Sequence, residues 1–145
     1  MRYLLDTCIM LYMVNKTGEM SDDVEAIVND YGNQLYMSAA SIRELSGAWH
    51  KYERMQKRFP AFQTVLDLLR DQFSIETLYP QHEHYNTFSH LKWNLDEDHR
   101  DTTDILIIAH AITERLTLIS SDRKFKFYEN QGLKFVYNKK PKSNS

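Results

Sequence analysis

The run Arg2-Tyr-Leu-Leu-Asp6 is short, apolar and partly aromatic, and it ends on a carboxylate. Such a run predicts a buried β-strand. Four later runs have the same character, at residues 34–37, 74–78, 117–120 and 133–137. Between them, apolar residues recur every three or four positions, which is the spacing of an amphipathic helix. Strands that alternate with helices predict an α/β fold in which a mainly parallel sheet is covered by helices on both faces.

Capping residues and prolines predict where the helices begin. Ser21 and Ser38 suit the N-cap position, and Pro60 and Pro80 suit a first helical turn. The apolar spacing after Ser38 predicts one helix that continues through Met55. The predicted helices therefore begin near residues 8, 21, 38, 60, 80 and 102. The last of them, residues 102–116, is apolar nearly all round and is expected to lie in the middle of the protein.

Length and composition fit one compact globular domain, with 145 residues, of which 42% are apolar and 26% charged. We expect this domain to span residues 1–137, followed by a basic, flexible tail at residues 138–145. Cys8 is the only cysteine, which excludes an internal disulfide and fits a reducing cytosol. The longest apolar stretch, from Ile105 to Ile112, is far too short for a membrane span, and Asp6 interrupts the apolar run nearest the N-terminus. Neither a membrane protein nor a secreted one is expected.

The formal net charge of −2 conceals a strong segregation of charge along the chain. Residues 59–122 carry eleven acids and four bases, whereas residues 123–145 carry one acid and seven bases. Residues 43–58 are also basic, with five bases and two acids. This distribution predicts an acidic centre with basic margins.

Four acidic residues stand out because of their positions in the predicted fold. Asp6 and Asp122 follow strands closely, and Glu44 and Asp104 lie near the starts of helices. The carboxyl ends of parallel strands meet at one edge of a sheet, so these side chains are predicted to converge in one cleft. Adjacent carboxylates repel unless a cation holds them ionised, and oxygen ligands favour Mg²⁺ or Mn²⁺. The pattern therefore predicts a metal-dependent nuclease that cleaves phosphodiester bonds.

Each acid also has an ordinary structural explanation. Asp101 and Asp104 lie three residues apart at a helix start, where both could serve as caps. Glu44 could be a surface helix residue, and an aspartate after a strand often only forms a turn. The convergence of four acids at one sheet edge favours the metal site over these separate explanations.

Four short motifs follow one another along residues 2–137. They are Tyr3-Leu-Leu-Asp-Thr-Cys8, Ser41-Ile-Arg-Glu-Leu45, His99-Arg-Asp-Thr-Thr-Asp-Ile-Leu-Ile-Ile-Ala-His-Ala111 and Leu118-Ile-Ser-Ser-Asp-Arg-Lys-Phe125. Together they resemble the PIN-domain superfamily, in particular the VapC-like toxins. The resemblance implies a three-layer α/β/α sandwich with a central five-stranded parallel sheet, and endoribonuclease activity that depends on Mg²⁺ or Mn²⁺. It also implies a homodimer and inhibition by a cognate antitoxin protein in a type II toxin–antitoxin system.

The resemblance also assigns roles to individual residues. It implies that Asp6, Glu44, Asp104 and Asp122 are the catalytic and metal-binding acids, with Glu44 either a ligand or the residue that orients the attacking water.

Residues next to these acids match the family less uniformly. Thr7 and Ser120 are expected beside the metal, as in the family. Cys8 stands where asparagine is more frequent, and we expect it to be a small apolar filler. Thr102-Thr103 replaces a frequent Pro-Phe pair. Asp101 either adds a fifth carboxylate or only caps the helix.

Phosphate binding is expected from the basic margins, because cations beside an acidic cleft can hold the neighbouring phosphates of RNA. The alternative is that these side chains form ordinary solvated helix faces. The candidates for RNA binding are Arg43, Lys51, Arg54, Arg123 and Lys124, with Lys57, Arg58 and Lys126 as further basic residues of the same segments.

The histidines are weaker candidates. His82-Glu-His84 offers two metal ligands without a visible third, which is more typical of a polar helix face. His99 and His110 could act as acid or base, although His110, in an apolar helix, is more typical of a hydrogen-bonded packing residue.

Two other functions compete with the nuclease. Asp6 could be the nucleophile of a Mg²⁺-dependent phosphatase or phosphoacceptor, but the typical DxDx[TV] loop is absent. The chain could also be a non-catalytic RNA- or protein-binding module, against which the presence of all four acids argues.

Overall fold

A parallel sheet of five strands lies at the centre of the computed structural model, which describes residues 1–142. The strands are β1 (Arg2–Leu5), β2 (Gln34–Ser38), β3 (Ile75–Leu78), β4 (Thr117–Ser120) and β5 (Lys134–Tyr137). Their spatial order is β3-β2-β1-β4-β5, and every neighbouring pair is parallel. The order reverses at β1, which has β2 on one side and β4 on the other. In parallel sheets, a crevice opens beyond the carboxyl ends of the strands at such a point.

Helices cover both faces of the sheet, which confirms the predicted α/β/α sandwich. Alternate residues of a strand point to opposite faces. The helices are α1 (Thr7–Asn15), α2 (Asp22–Asn29), α3 (Ala39–Lys51), α4 (Glu53–Arg58), α5 (Phe62–Asp71), α6 (His82–His90) and α7 (Thr102–Glu114), with 3-10 helices at Leu95–Glu97 and Arg123–Gln131. Leu5 packs in a core with helices α1 to α5, and Leu4 packs in a second core with α6, α7 and the longer 3-10 helix.

The single helix predicted from Ser38 through Met55 is wrong, because the helix breaks at Tyr52. The backbone of Tyr52 is extended, with φ −105° and ψ 104°, and separates α3 from α4. The break turns the chain so that Met55, 2% exposed, enters the core. The indole N–H of Trp49 donates to the carbonyl of Phe59 across the turn, at 2.7 Å. Packing of α4 thus outweighs the continuous helical spacing.

Other helix boundaries differ from the prediction by a few residues. Pro60 and Pro80, which were expected in a first helical turn, instead precede their helices, since α5 begins at Phe62 and α6 at His82. Helix α7 ends at Glu114, where Arg115 adopts a left-handed backbone, φ 57°. The 3-10 helix at Arg123–Gln131 was not predicted.

Asn138, which the sequence assigned to a flexible tail, is part of the folded structure. It is fully buried, and its backbone N–H donates to the carbonyl of Ser120 at 2.8 Å. Its side-chain amide donates to Ser121 Oγ at 2.7 Å, and its side-chain oxygen accepts from the N–H of Ser21 at 2.7 Å. This asparagine therefore ties the end of β5 to β4 and to the start of α2. Residues 143–145 of the predicted tail lie outside the described residues.

No helix within residues 1–142 has both the length and the apolar character that crossing a membrane requires.

Candidate active site

The four predicted acids converge at the carboxyl edge of the sheet. Asp6 immediately follows β1 and Asp122 follows β4. Glu44 lies in the second turn of α3, and Asp104 lies in the first turn of α7. All four line one open cleft of about 780 Å³. The cleft is at the point where strand order reverses, as expected for a parallel sheet.

Two hydroxyl side chains connect the acids to one another. The backbone N–H of Thr7 donates to Asp6 Oδ1 at 2.8 Å, and its hydroxyl donates to Glu44 Oε1 at 2.6 Å. Ser120 Oγ donates to Asp6 Oδ2 at 2.6 Å and accepts from the N–H of Asp122 at 3.0 Å. Thr7 therefore links Asp6 to Glu44, and Ser120 links Asp6 to Asp122.

Asp104 is shared by two groups of potential metal ligands. One oxygen each from Asp6, Glu44 and Asp104 lie within 4.8 Å of one another. Ligand atoms of His99, Asp104 and Asp122 also lie within 4.8 Å of one another. The quartet is thus arranged as two overlapping groups, with Asp104 in both.

The carboxylates of the first group are electrostatically unfavourable without a cation. Burial, and then the charges of Asp104 and Glu44, raise the pKa of Asp6 from 3.8 to about 7, although hydrogen bonds from Ser120 and Thr7 oppose this. Burial also raises the pKa of Glu44, with Asp104 and Asp101 adding to the effect. Within residues 1–142, no lysine or arginine forms an ion pair with Asp6, Glu44 or Asp104.

The donor set fits a hard divalent cation. The two most distant oxygens of an octahedral Mg²⁺ site lie about 4.2 Å apart, twice the ion–oxygen distance. The spacing of Asp6, Glu44 and Asp104 within 4.8 Å is close to that of such a ligand set. Carboxylate oxygens select Mg²⁺ or Mn²⁺ over soft metals.

Asp101 has the capping role that was one of its two expected roles. Its Oδ1 accepts from the N–H of Thr103 at 2.8 Å and from the N–H of Asp104 at 3.4 Å, so it closes the first turn of α7. It also lines the cleft. Its cap holds the helix start that presents Asp104.

Cys8 packs against the hydrophobic core, as the sequence suggested, and its thiol also lies beside Asp6. Its thiol donates to Asp6 Oδ2 at 3.6 Å and lies 3.8 Å from Ser120 Oγ. Burial, and then the charge of Asp6, raise the pKa of the thiol to about 12. The thiol is therefore protonated at neutral pH and is not a nucleophile.

The basic candidates divide into those at the cleft and those away from it. Arg123 and Lys124 line the cleft directly. Arg43 lines a separate groove, of about 380 Å³, between α3, α6 and α7. Lys51 lies seven residues beyond Glu44 on α3, about 10 Å along the helix axis, and Arg54 follows on α4. Neither of these two residues lines the cleft.

Sequence reasoning missed several residues of the cleft. Lys140 lies in the segment assigned to a tail, yet it lines the cleft, with its Nζ 5.6 Å from the ring centroid of Tyr12. Arg123 lies over Tyr137 in the same way, at 5.8 Å. The basic composition of residues 123–145 was the only signal for Lys140, and Glu97, on a short 3-10 helix, had none.

His84 and His110 do not line the cleft. His84 is 2% exposed; its Nδ1 accepts from the N–H of Gln81 at 2.8 Å, and its Nε2 lies 2.8 Å from Glu114. His82 and Glu83 are exposed, as on a polar helix face, whereas His84 is buried. Ligand atoms of Glu83, His84 and Glu114 lie within 4.8 Å of one another, so Glu114 is the third potential ligand that the sequence did not reveal. His110 packs in the core as expected, but neither of its ring nitrogens has a hydrogen-bond partner, so the expected hydrogen bond is wrong.

Comparisons with known proteins agree on the fold. One chain of the crystal structure of VapBC2 from Rickettsia felis bound to a promoter DNA fragment has a TM-score of 0.70 and 24% identity, covering 95% of this chain and 99% of that chain. VapBC-5 from Mycobacterium tuberculosis, a member of the VapBC family of toxin–antitoxin systems, has a TM-score of 0.67 and 17% identity, covering 94% of this chain and 98% of that chain. VapBC-1 from nontypeable Haemophilus influenzae has a TM-score of 0.65 and 21% identity, covering 94% of this chain and 98% of that chain.

At the level of sequence, no curated protein gives a significant match. The family model of the PIN domain matches residues 3–130, which include the four predicted acids of the cleft and all but the last strand of the sheet. The chain therefore belongs to the PIN-domain family.

Proposed function

We propose that the protein is a divalent-metal-dependent endoribonuclease and the toxin of a type II toxin–antitoxin pair. The observation that carries the proposal is the close group formed by Asp6, Glu44 and Asp104, whose oxygens lie within 4.8 Å of one another in an open cleft. Membership of the PIN-domain family supports the same activity.

In this proposal, Asp6, Asp104 and Asp122 hold one or two Mg²⁺ or Mn²⁺ ions, with Glu44 as a further ligand or as the residue that orients water. Such ions lower the pKa of water and stabilise charge on the leaving oxygen of a phosphodiester. Thr7 and Ser120 hold the carboxylates in place through their hydrogen bonds.

The rim of the cleft supports a polyanionic substrate. Arg123 and Lys124 line the cleft next to Asp122, and Lys140 lines it from the C-terminal segment. These cations can hold phosphates on either side of the bond that is cleaved. Arg43, Lys51 and Arg54 would contact only more distant parts of the RNA, since they lie outside the cleft.

A protein partner is proposed from the solved structures that share the fold. Several of them are VapBC structures, and VapBC-5 is described as a toxin–antitoxin system. By analogy we expect an antitoxin that binds this chain. The homodimer is proposed only from the resemblance of the sequence motifs to the VapC-like toxins. The single cysteine fits a cytoplasmic protein.

The sequence after Asp6 disfavours the phosphoacceptor alternative. A nucleophilic aspartate of that class typically lies in a DxDx[TV] loop, whereas Thr7 and Cys8 follow Asp6 here. The oxygens of Asp6 each accept one hydrogen bond, Oδ1 from Thr7 and Oδ2 from Ser120, and each keeps a further lone pair for a metal ion.

A substrate comparison tests the proposal. EDTA-treated protein, free of antitoxin, is incubated with single-stranded RNA, DNA of the same sequence and p-nitrophenyl phosphate, each with and without Mn²⁺. We expect internal cleavage of RNA only, and only with Mn²⁺. Hydrolysis of p-nitrophenyl phosphate alone would favour the phosphatase, and no cleavage by the folded protein would refute the nuclease. Growth arrest on expression, relieved by the product of an adjacent small reading frame, tests the toxin assignment.

A further inference from the structure

A buried chain of hydrogen bonds runs from the backbone of Asn94 to the carboxylate of Asp104. The N–H of Asn94 lies 3.0 Å from the phenol oxygen of Tyr128. That oxygen lies 3.0 Å from His99 Nδ1, and His99 Nε2 lies 3.0 Å from Asp104 Oδ2. Asn94, His99 and Tyr128 are 2%, 3% and 0% exposed. The chain therefore reaches the cleft only at its Asp104 end.

The direction of these bonds follows from the chemistry of the groups. A backbone N–H can only donate, so the phenol oxygen of Tyr128 accepts from Asn94. A carboxylate can only accept, so His99 Nε2 donates to Asp104 Oδ2. A neutral imidazole that donates at Nε2 accepts at Nδ1, and its partner there, the Tyr128 phenol, donates.

This direction bears on which atoms can bind a metal. An imidazole ligand must present a lone pair, whereas His99 Nε2 presents a proton to Asp104. The proximity of His99 to Asp104 and Asp122, within 4.8 Å, thus does not make it a ligand. Hydrogen bonds that orient ligating carboxylates commonly tune the affinity of a metal site.

We propose that His99 is a positioning residue, which fixes the carboxylate of Asp104 through Nε2–H and is itself fixed by Tyr128. The inference rests on the proposed function, in which Asp104 is a metal ligand. It has a structural consequence, because Asp104 belongs to both groups of potential ligands. One hydrogen bond then orients the residue that the two groups share.

The chain contains a matched control for this arrangement. His84 is also buried, accepts a backbone N–H at Nδ1 and lies 2.8 Å from a carboxylate, that of Glu114, through Nε2. Glu114 is ten residues beyond Asp104 on α7, about 15 Å along the helix. His84→Ala therefore removes a similar pair at a distance from the cleft.

The test measures the dissociation constant of Mn²⁺ by electron paramagnetic resonance, and the stability of each metal-free variant by urea denaturation. His99→Ala should weaken Mn²⁺ binding by about 10- to 100-fold. His99→Gln places an amide N–H near the position of Nε2 and should restore affinity to near the wild-type value. His99→Asn places its amide near the position of Nδ1, out of reach of Asp104, and should remain weak. His84→Ala should lower stability without changing the dissociation constant.

A second substitution tests the link through Tyr128. Tyr128→Phe should weaken Mn²⁺ binding by no more than His99→Ala does, and should have no effect in a His99→Gln background, where Nδ1 is absent. Wild-type affinity in His99→Ala, or equal affinities of His99→Gln and His99→Asn, would overturn the inference. If His99→Ala does not fold, the Gln and Asn pair decides. No Mn²⁺ binding by the wild type would instead refute the proposed function.

Discussion

Removing the charge of Asp6 should stabilise the metal-free protein at neutral pH. Asp6 is 7% exposed, and its burial, together with the carboxylates around it, raises its pKa from 3.8 to about 7. The fold thus favours the protonated carboxyl. The stability that the protonated Asp6 carboxyl contributes is fully present below pH 3.8 and is lost as the pH rises through about 7. Asp6→Asn keeps the shape of the side chain but has no charge to bury.

The magnitude follows from the size of the shift. About 3 pKa units correspond to about 4 kcal/mol in the free energy of unfolding. The substitution also loses the short bond that Ser120 Oγ donates to Asp6, 2.6 Å in length, at a cost of about 1 to 2 kcal/mol. Asp6→Asn should therefore raise the free energy of unfolding by about 2 to 3 kcal/mol at pH 8. Near pH 4, the wild type should be at least as stable as the variant.

Urea denaturation in EDTA, followed by circular dichroism at pH 5 and pH 8, measures this difference. The advantage of Asp6→Asn should grow by about 2 to 3 kcal/mol between the two pH values. Ser120→Ala is the control, because it removes the hydrogen bond and keeps the charge; it should lower stability at both pH values. Parallel pH profiles of Asp6→Asn and wild type would refute the reasoning. Saturating Mn²⁺ should reverse the order at pH 8, since only the wild type keeps the full ligand set.

Three further predictions concern other parts of the molecule. Burial, and then the charge of His84, lower the pKa of His110 to about 4, so the protein loses stability as the pH falls below 6.5. His110→Leu removes this loss and should recover about 2 kcal/mol in the free energy of unfolding at pH 5 relative to pH 8, measured by urea denaturation. An unchanged pH profile would contradict this. Mn²⁺ at 100 times its dissociation constant should stabilise the wild type by about 2.7 kcal/mol in thermal melts, and Asp104→Asn should lose this gain; equal gains would exclude Asp104 as a ligand. Joint substitution of Arg123 and Lys124 by Ala should reduce the slope of log binding constant against log salt concentration for RNA by about 1.4, because each lost phosphate contact removes about 0.7. Lys57→Ala, which removes a lysine from an exposed ion pair with Glu53, should leave this slope unchanged.

The convergence of the acids could be predicted because it follows from topology. Asp6 and Asp122 directly terminate strands, so a parallel sheet brings them to one edge wherever the intervening chain runs. Glu44 follows because Ser38 ends β2 and caps α3 at that same edge. Local patterns therefore sufficed for these residues.

Features that depend on contacts between distant segments could not be predicted. The break at Tyr52 results from the packing of α4 against the core, and the apolar spacing continues through it unchanged. His99 acquires its role from Tyr128, which lies 29 residues away on a 3-10 helix that has no clear sequence signal. Asn138 looks like the start of a polar tail, and only its contacts with Ser120 and Ser21 reveal its buried position.

The most direct test of the metal-dependent nuclease is to measure RNA cleavage and Mn²⁺ binding in the same titration. Mn²⁺ is added stepwise to EDTA-treated wild type and to Asp104→Asn, and the initial rate of cleavage of a labelled single-stranded RNA is compared with the bound Mn²⁺. The rate of the wild type should rise from zero in step with occupancy, and Asp104→Asn should lose both binding and cleavage. Cleavage by the wild type in EDTA, or full activity of Asp104→Asn, would contradict the assignment of this cleft as the catalytic metal site.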